Sequence, residues 1–363
     1  MRLVMVTPRV DKNHPIFGFI PTWVTYLANQ LEQLWVVTPR FNSQTVLPSN
    51  VTVFEVGRDT AKQENTLHAL QKFHQVMWQL TQFEPIDGIF THMYPKFALM
   101  AVPYAKMRRI PLVMWYTHTN VSWQLRLAEK FVDAIVTASR GSCRLDSPKV
   151  RVIGHGLDTG QFAPRHAAKV DHTSKRNLVS VGRISPSKNC HLMIEAVNEL
   201  VNRRSITNFS LSFVGDVPDE NDRPYLQYLQ ELVAHHNLET YVSFMGAIPH
   251  KEVATVYQQS DIFVSASQSG LDKAVLEAMA CGLIPIVSLT EFVPTLAQYR
   301  RLLMYEPAQS TQLAERLETV IRMSPAERLQ LGVVMRYIVQ KKHDVLGLVK
   351  QVVSLFAALK RVE

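Results

Sequence analysis

Residues 261–288, DIFVSASQSGLDKAVLEAMACGLIPIVS, decide how the rest of the chain is organised. The run 262–266 is short, apolar and bounded by polar residues, so it predicts a buried strand. A polar loop containing a glycine follows at 267–271, and a helical stretch spans about 272–281 before a second glycine ends it. The apolar run 283–287 predicts another strand. The loop therefore lies at the carboxyl end of the first strand, the edge at which open parallel sheets bind ligands.

The helix in this stretch is almost entirely apolar from Ala274 to Cys281, yet it contains the carboxylate of Glu277. Such a helix is expected to be buried between layers, and a buried carboxylate is costly unless a hydrogen bond or an opposite charge satisfies it. One interpretation is a structural salt bridge to a neighbouring element. The other is a carboxylate that accepts hydrogen bonds from sugar hydroxyls. The helix by itself is compatible with both.

Composition narrows the class of protein. The chain has 363 residues, of which 47% are hydrophobic and 19% charged, so it is long enough for two domains and disorder is not expected. Cys143, Cys190 and Cys281 are an odd number of cysteines without metal or redox spacing, which indicates structural thiols in a reducing compartment. We find no signal peptide and no uncharged apolar run of about 18 residues. We therefore expect a cytoplasmic protein without a transmembrane helix.

The net charge of +8 is unevenly distributed along the chain. Residues 1–170 contain 19 Lys and Arg against 11 Asp and Glu, a difference of +8, whereas residues 171–363 contain 20 of each. An anionic membrane surface, or an acidic or phosphorylated acceptor, would suit the basic half. Nucleic acid is not supported, because the sequence contains no recognition motif for it. An ordinary solvated basic surface is the remaining interpretation.

Apolar runs of strand length alternate with helical stretches throughout the chain, which predicts an α/β fold with parallel sheets wrapped by helices. The alternation restarts after a polar, irregular stretch at about 163–175, where we place a linker. The sequence thus predicts two doubly wound domains, 1–165 and 172–342. The strongly apolar helix expected near the end, within 343–363, must pack on something, and a bridge back to the first domain is a natural use.

Three loops at predicted strand ends contain candidate ligand-binding residues. Arg183 and Lys188 follow the first strand of the second half, just before a helix, where two cations and a helix amino terminus could converge on a diphosphate. Gly18, in the first loop, would let backbone N–H groups approach an oxygen atom closely. His118 also lies just past a strand end. The alternative for each is an ordinary loop residue: a solvated charge, a loop glycine or a structural histidine.

Taken together, these positions resemble the retaining glycosyltransferases of family four (group 1), which have the GT-B fold of two Rossmann-like domains facing a central cleft. Four segments carry the resemblance: RVIGHGLDTGQFAP at 151–164, LVSVGRISPSKN at 178–189, LSFVGDVP at 211–218 and VSFMGAIPHKEVATVYQQSDIFVSASQSGLDKAVLEAMACG at 242–282. The order and spacing agree over roughly 130 residues. The first half resembles the family only in its pattern of strands and helices.

The resemblance implies a role for each matching residue. Arg183 and Lys188 would neutralise the nucleotide diphosphate, and Glu277 would accept hydrogen bonds from the ribose hydroxyls. His118 would touch the donor sugar or the reaction centre, and Gly18 would face the diphosphate from the first domain. The other donor-binding positions that the resemblance implies are Gly182, Gly215, Gly246, Ala247, Ile248, Ser269, Gly270, Leu271, Asp272 and Lys273.

The expected activity is transfer of a sugar, with retention, from a nucleoside-diphosphate sugar to a glycan or lipid-linked acceptor. No metal and no further cofactor is expected, because two cations already face the diphosphate. The setting expected from the family is glycolipid or cell-envelope polysaccharide synthesis by a peripheral protein on the inner face of the membrane. Ser269 replaces the first glutamate of the family's paired-glutamate motif, so a catalytically silent nucleotide-sugar sensor or partner subunit is the alternative. A nucleotide-sugar epimerase is a weaker third candidate, since no convincing acid–base array is visible.

Overall fold

The first sheet is entirely parallel and is interleaved with helices, as the alternation of apolar runs predicts. The computed structural model describes residues 1–14, 17–57, 66–164, 175–267, 270–288 and 290–360, without the side chains of His250 and Thr290. Within these ranges the sheet has the strand order β3-β2-β1-β4-β5-β6-β7. The strands are β1 Arg2–Val6, β2 Gln33–Thr38, β3 Val51–Glu55, β4 Gly88–His92, β5 Leu112–Trp115, β6 Ala134–Thr137 and β7 Val150–Val152.

The helices that accompany this sheet are α1 Ile20–Ala28, α2 Thr66–Phe83, α3 Pro95–Met107 and α4 Trp123–Phe131. The apolar core between the sheet and α2, α3 and α4 includes Phe73, Met77 and Leu125. Strands β1, β4, β5 and β6 are almost wholly buried, which explains why their apolar residues are consecutive rather than alternating with polar ones. The buried strands therefore fix the points at which the loops begin, and candidate functional residues are expected in those loops.

The second sheet is also entirely parallel, with the strand order β10-β9-β8-β11-β12 in the described residues. Its strands are β8 Arg176–Val181, β9 Phe209–Val214, β10 Val242–Phe244, β11 Ile262–Ser265 and β12 Ile284–Val287. The helices of this half are α5 Cys190–Asn198, α6 Arg223–His235, α7 His250–Gln258, α8 Lys273–Ala280, α9 Val293–Leu296, α10 Arg300–Leu303, α11 Ser310–Arg322 and α12 Pro325–Lys342. Helix α8 is the apolar helix of the deciding stretch, and its residues from Val275 to Ala280 are all buried. The α/β class and the two Rossmann-like sheets predicted from the sequence are confirmed.

The chain divides into two compact units, the first formed by Met1–Asp158 together with the residues from Lys342 onward, and the second by Thr159–Lys341. The last helix, α13 Val345–Lys360, belongs to the first unit and packs against α1. Its Phe356 is fully buried on the bare backbone of Gly88, and Lys360 pairs with Asp87. Most of the linker predicted at 163–175 lies outside the described residues.

One predicted boundary is wrong. The sequence predicts a helix from about Pro21, a residue suited to the first turn, to Gln33, but α1 ends at Ala28 and Gln33 begins β2. The amides of Asn29 and Gln30 close the helix by bonding back to carbonyls of its last turn at 3.1 and 3.0 Å. The Glu32 amide then bonds to the Met1 carbonyl at 2.9 Å, so contact with the start of β1 ends the helix.

Candidate functional site

The candidate site of the second unit lies where the strand order of its sheet reverses. From β8 the chain adds β9 and then β10 on one side, and it afterwards crosses over to add β11 and β12 on the other side. The loops that follow β8 and β11 therefore leave the sheet in diverging directions at its carboxyl edge, and a crevice opens between them. This is the edge that the deciding stretch predicts for ligand binding.

Backbone hydrogen bonds tie together the loops that follow β8, β9 and β10. The Gly182 amide donates to the Val214 carbonyl at 2.9 Å, and the Gly215 amide donates to the Gly246 carbonyl at 2.8 Å. A Cβ added to Gly215 would overlap the carbonyl oxygen of Gly182, and its φ of +141° is one that other residues rarely adopt. Gly182, Gly215 and Gly246, which follow three different strands, thus pack together through their backbones beside the crevice. We call this backbone surface the floor.

The crevice opens to solvent, and the empty space within and at its mouth amounts to about 310 Å³. Its lining residues are Ser180, Val181, Gly182, Arg183, Ile184, Lys188, Cys190, Met193, Phe213, Ser265, Ala266 and Asp272. Four of them, Gly182, Arg183, Lys188 and Asp272, are site residues predicted from the sequence. Burial raises the pKa of the Cys190 thiol to about 12, so this thiol stays neutral and contributes shape rather than charge.

Lys188 and Asp272, which are 84 residues apart in sequence, meet across this crevice. Lys188 Nζ lies 2.6 Å from Asp272 Oδ2, and both side chains are largely shielded, with 23% and 12% of their surfaces exposed. The other carboxylate oxygen of Asp272 accepts a hydrogen bond from the Ala274 amide at 3.2 Å and so caps the amino terminus of α8. Arg183 is exposed at the same crevice. Two cations, one of them paired with Asp272, and a helix amino terminus therefore face one space, which suits an anionic ligand able to displace that carboxylate.

Glu277 is buried, with 5% of its surface exposed, one turn after Lys273 on α8. Lys273 Nζ lies 3.7 Å from Glu277 Oε1, so the structure contains the salt bridge that one interpretation of this carboxylate requires. Burial raises the pKa of the fully buried Tyr257 hydroxyl well above its usual value, and the Glu277 and Asp272 carboxylates add to this effect. That hydroxyl therefore stays protonated, and its interaction with the Glu277 carboxylate contributes to the shift.

The other predicted residues of the second unit that the structure describes are not among those lining the crevice. Ala247 is exposed and Ile248 half-buried in the loop after β10, Leu271 is buried, and Gly270 adopts a φ of +67° with open space around it. Ser269 lies outside the described residues. The loop after β11 thus reaches α8 through a glycine whose conformation only a residue without a Cβ adopts easily.

The two candidates of the first unit have local roles in their own loops. The Gly18 amide donates to the His14 carbonyl at 2.9 Å, and an added Cβ would lie 2.7 Å from that same oxygen. Gly18 therefore closes a turn through its own N–H group, and its role toward a diphosphate stays a prediction. His118 is exposed, and its Nδ1 accepts a hydrogen bond from the Asn120 amide at 3.0 Å.

Sequence reasoning missed two polar residues at these strand ends. Asn189 Nδ2 donates to the Ala266 carbonyl at 3.0 Å and so links the loops that follow β8 and β11. In the first unit, His92 ends β4 with no exposed surface, and its Nδ1 lies 3.2 Å from Thr7 Oγ1. Burial lowers the pKa of His92 to about 3, so its ring is neutral. Their position at or after a strand end could have identified both residues. His92 was overlooked because it ends an apolar run, and Asn189 was overlooked because its place before a helix is also that of an ordinary helix cap.

Two features typical of other protein classes are absent from the described residues. They contain no group of three or more His, Cys, Asp and Glu side chains placed to hold a metal ion. Among the helices described, none is long and apolar enough to cross a membrane.

Comparison with known proteins identifies the second unit. Residues 164–332 match the family described as glycosyl transferases group 1. The matched segment contains β8 to β12 and the whole crevice, so the predicted resemblance to the group 1 glycosyltransferases is confirmed. The first unit lies outside this glycosyl transferase match.

Two curated relatives and one solved structure place this match in context. The chain is 26% identical to a phosphatidylinositol N-acetylglucosaminyltransferase subunit of Arabidopsis thaliana over 216 residues, which cover 57% of this chain and 45% of the relative. It is 30% identical to the putative colanic acid biosynthesis glycosyltransferase WcaL of Escherichia coli over 158 residues, which cover 41% of this chain and 36% of the relative. The chain thus spans less than half the length of both relatives. A glycosyltransferase structure from Rickettsia africae aligns with a TM-score of 0.76 at 14% identity, covering 100% of this chain and 99% of that one, and confirms the GT-B fold.

Proposed function

We propose that this protein transfers a sugar, with retention, from a nucleoside-diphosphate sugar to an acceptor. The observation that carries the proposal is the crevice between β8 and β11, where Arg183, Lys188 and the amino terminus of α8 face one space inside the segment that matches the group 1 glycosyl transferases. In this proposal the diphosphate binds there, and Glu277 accepts hydrogen bonds from the ribose. The Gly182–Gly215–Gly246 floor brings backbone close to the nucleotide.

The protein's contribution to the reaction is stabilisation of charge on the leaving group. The bond between the sugar's anomeric carbon and the diphosphate oxygen breaks, and the acceptor hydroxyl oxygen bonds to that carbon on the same face. The departing diphosphate takes the hydroxyl proton. Arg183, Lys188 and the α8 dipole would stabilise the negative charge that develops on the diphosphate. No side chain need act as a nucleophile, and two cations facing the diphosphate support a reaction without a metal ion.

Asp272 would change partners when the donor binds. In the structure its carboxylate neutralises Lys188 at 2.6 Å, so an incoming diphosphate must compete for the same ammonium group. Asp272 keeps its second function as the cap of α8 through the Ala274 amide, and displacement therefore need not unravel the helix. The pair would hold Lys188 at the strand end until the diphosphate replaces the carboxylate.

The acceptor is proposed to belong to glycolipid or cell-envelope polysaccharide synthesis on the inner face of a membrane. Support comes from the excess positive charge of residues 1–170 and from the names of the two relatives, one acting on phosphatidylinositol and one in colanic acid synthesis. The nucleotide-sugar sensor is the second candidate. It is favoured by Ser269 in place of a glutamate and by the carboxylate that already neutralises Lys188.

Calorimetric titration with UDP, GDP and ADP, each alone and with its sugar, without added metal, tests the donor site. We expect one nucleotide to bind at micromolar affinity and Arg183→Ala to remove that binding. Arg203→Ala is the matched control, because Arg203 is 73% exposed on a helical turn and pairs only with Glu199 in the described residues. Absence of binding to all three nucleotides, or equal loss in both variants, would refute the site. Binding without turnover on any glycan or lipid acceptor would favour the sensor.

A further inference from the structure

Helix α4 presents an apolar stripe to solvent on its outer face. Trp123, Leu127 and Phe131 follow one another at intervals of four residues, so they lie on one side of the helix. Their exposed fractions are 68%, 38% and 38%, although aromatic and leucine side chains are normally covered. Leu125 and Ala128, on the opposite side, are fully buried against the sheet. Helix α4 is therefore held in place by its buried side. Its outer face does not belong to the apolar core of the first unit.

Basic residues border this stripe. Arg126 and Lys130 are exposed on the same outer face of α4, and Arg108 and Arg109 are exposed at the end of α3, which packs alongside α4. None of these four side chains forms an ion pair within the described ranges. The acidic side chain of α4, Glu129, is half-buried and accepts a hydrogen bond from the Ser147 hydroxyl at 2.7 Å, so it does not neutralise the outer face.

The charge of this region exceeds that of its surroundings. Residues 95–133 contain six Lys and Arg against two acidic residues, a difference of +4 out of the +8 carried by residues 1–170. One of the acidic residues, Asp133, pairs with Lys106 at 3.9 Å. An exposed Trp, Leu and Phe stripe with cations at its side is the composition of helices that lie in the headgroup region of an anionic bilayer. A second copy of the same face would bring like charges together, which disfavours self-association through it.

We propose that the outer face of α4, with the end of α3, docks the first unit on an anionic lipid surface. The stripe would enter the headgroup boundary while Arg126, Lys130, Arg108 and Arg109 meet lipid phosphates. This inference builds on the proposed action at a membrane and names the surface responsible. Its test measures lipid binding rather than nucleotide binding, so the docking proposal and the proposed function can be refuted independently of each other.

The test is sedimentation with vesicles of phosphatidylcholine, with and without phosphatidylglycerol. Two variants address the two components: Arg126→Gln with Lys130→Gln, and Trp123→Gln with Leu127→Gln and Phe131→Gln. Each cation near such a surface raises binding about fivefold, so the first variant should bind anionic vesicles about 30-fold more weakly. The second variant should bind anionic vesicles at least about tenfold more weakly. The loss of about 55 Å² of buried apolar surface is already enough to weaken binding tenfold.

Helix α12 offers a matched control. Leu329, Val333 and Tyr337 form a stripe of the same spacing with 59%, 62% and 57% exposure. Glu327 lies at one end of this stripe, and Lys341 at the other end lies 5.5 Å from the centre of the Tyr337 ring. Replacing these three residues by Gln should leave lipid binding unchanged. All variants should keep the circular dichroism and nucleotide binding of the wild type, which separates lost docking from lost folding.

Specific outcomes would overturn the proposal. These are equal binding to zwitterionic and anionic vesicles, equal loss in the α12 control, or no lipid binding at low salt. A dimer that forms without lipid and is abolished by the α4 stripe variant would assign the face to a second copy instead. Binding that requires phosphatidylglycerol, weakens as salt rises and depends on both α4 variants would support it.

Discussion

Asp272→Asn is expected to tighten binding of the nucleoside diphosphate, although it alters a side chain of the proposed site. The carboxylate neutralises Lys188, and a diphosphate must displace it before it gains that cation. Asn is as good a helix cap as Asp, so α8 should keep its amino terminus. The substitution therefore changes the charge of the crevice while the fold is preserved.

The geometry sets the size of the effect. Two unit charges 2.6 Å apart attract by about 1.6 kcal/mol with the dielectric constant of water and by about 6 kcal/mol at an effective value of about 20. Both side chains retain some exposure, and desolvation with side-chain ordering offsets most of this attraction. We take about 1.5 kcal/mol as the cost of displacing Asp272, which corresponds to roughly tenfold tighter binding in the variant.

The assay is calorimetric titration of the wild type, Asp272→Asn, Lys188→Ala and the double variant. In the Lys188→Ala background the Asn substitution should lose most of its tenfold gain, because the ammonium group that it frees is absent. Asp216→Asn is the control for long-range charge, since Asp216 is exposed in the loop after β9 and has no contact with Lys188 in the described residues. Unchanged affinity in Asp272→Asn, or the same gain with and without Lys188, would show that Lys188 is not the cation that meets the diphosphate.

Three further predictions concern the stability of each unit. Gly215→Ala should lower the free energy of unfolding in urea by at least about 2 kcal/mol and weaken nucleotide binding, because its Cβ would overlap the Gly182 carbonyl. Nucleotide binding at the wild-type affinity would show that the floor is not needed. Phe356→Ala should cost about 3–5 kcal/mol since this ring is fully buried, whereas Phe83→Ala, at 76% exposure, should change the free energy of unfolding by less than about 1 kcal/mol. Burial lowers the pKa of His92 from 6.5 to about 3, so the folded state resists a proton that the unfolded chain accepts. Its contribution to stability is complete above about pH 6.5 and falls by about 2 kcal/mol by pH 5, and His92→Gln should remove that part of the pH dependence.

The parallel sheets and the position of the crevice were predictable because they follow from local pattern and from one topological rule. Strands buried on both faces must be continuous apolar runs, and the run 262–266 followed by a loop and an apolar helix shows that arrangement in a single stretch. The carboxyl edge of such a strand is where a ligand can reach loops and helix termini together. Arg183 and Lys188 were found in this way, because their loop leaves a neighbouring strand at the same edge.

Pairings between distant loops could not be predicted in this way. The sequence gives no indication that Asp272 will neutralise Lys188, since the two are 84 residues apart and each has an ordinary local role, one as a cap and one as a loop cation. Gly18 shows the same limit for a backbone group. A loop glycine near a strand end is compatible with anion binding, but the His14 carbonyl already occupies its amide, and only the coordinates of the turn reveal this.

The fold determines where the excess positive charge of the first half lies on the protein surface. A count along the chain locates an excess of +8 in residues 1–170 but is equally compatible with a diffuse solvated surface. The parallel crossovers through β4, β5 and β6 place α3 beside α4, and burial of Leu125 and Ala128 fixes which side of α4 faces outward. Cations that are separated in sequence then border one exposed apolar stripe. Helical period alone cannot predict this surface, because the same period describes the buried side of every other helix in the unit.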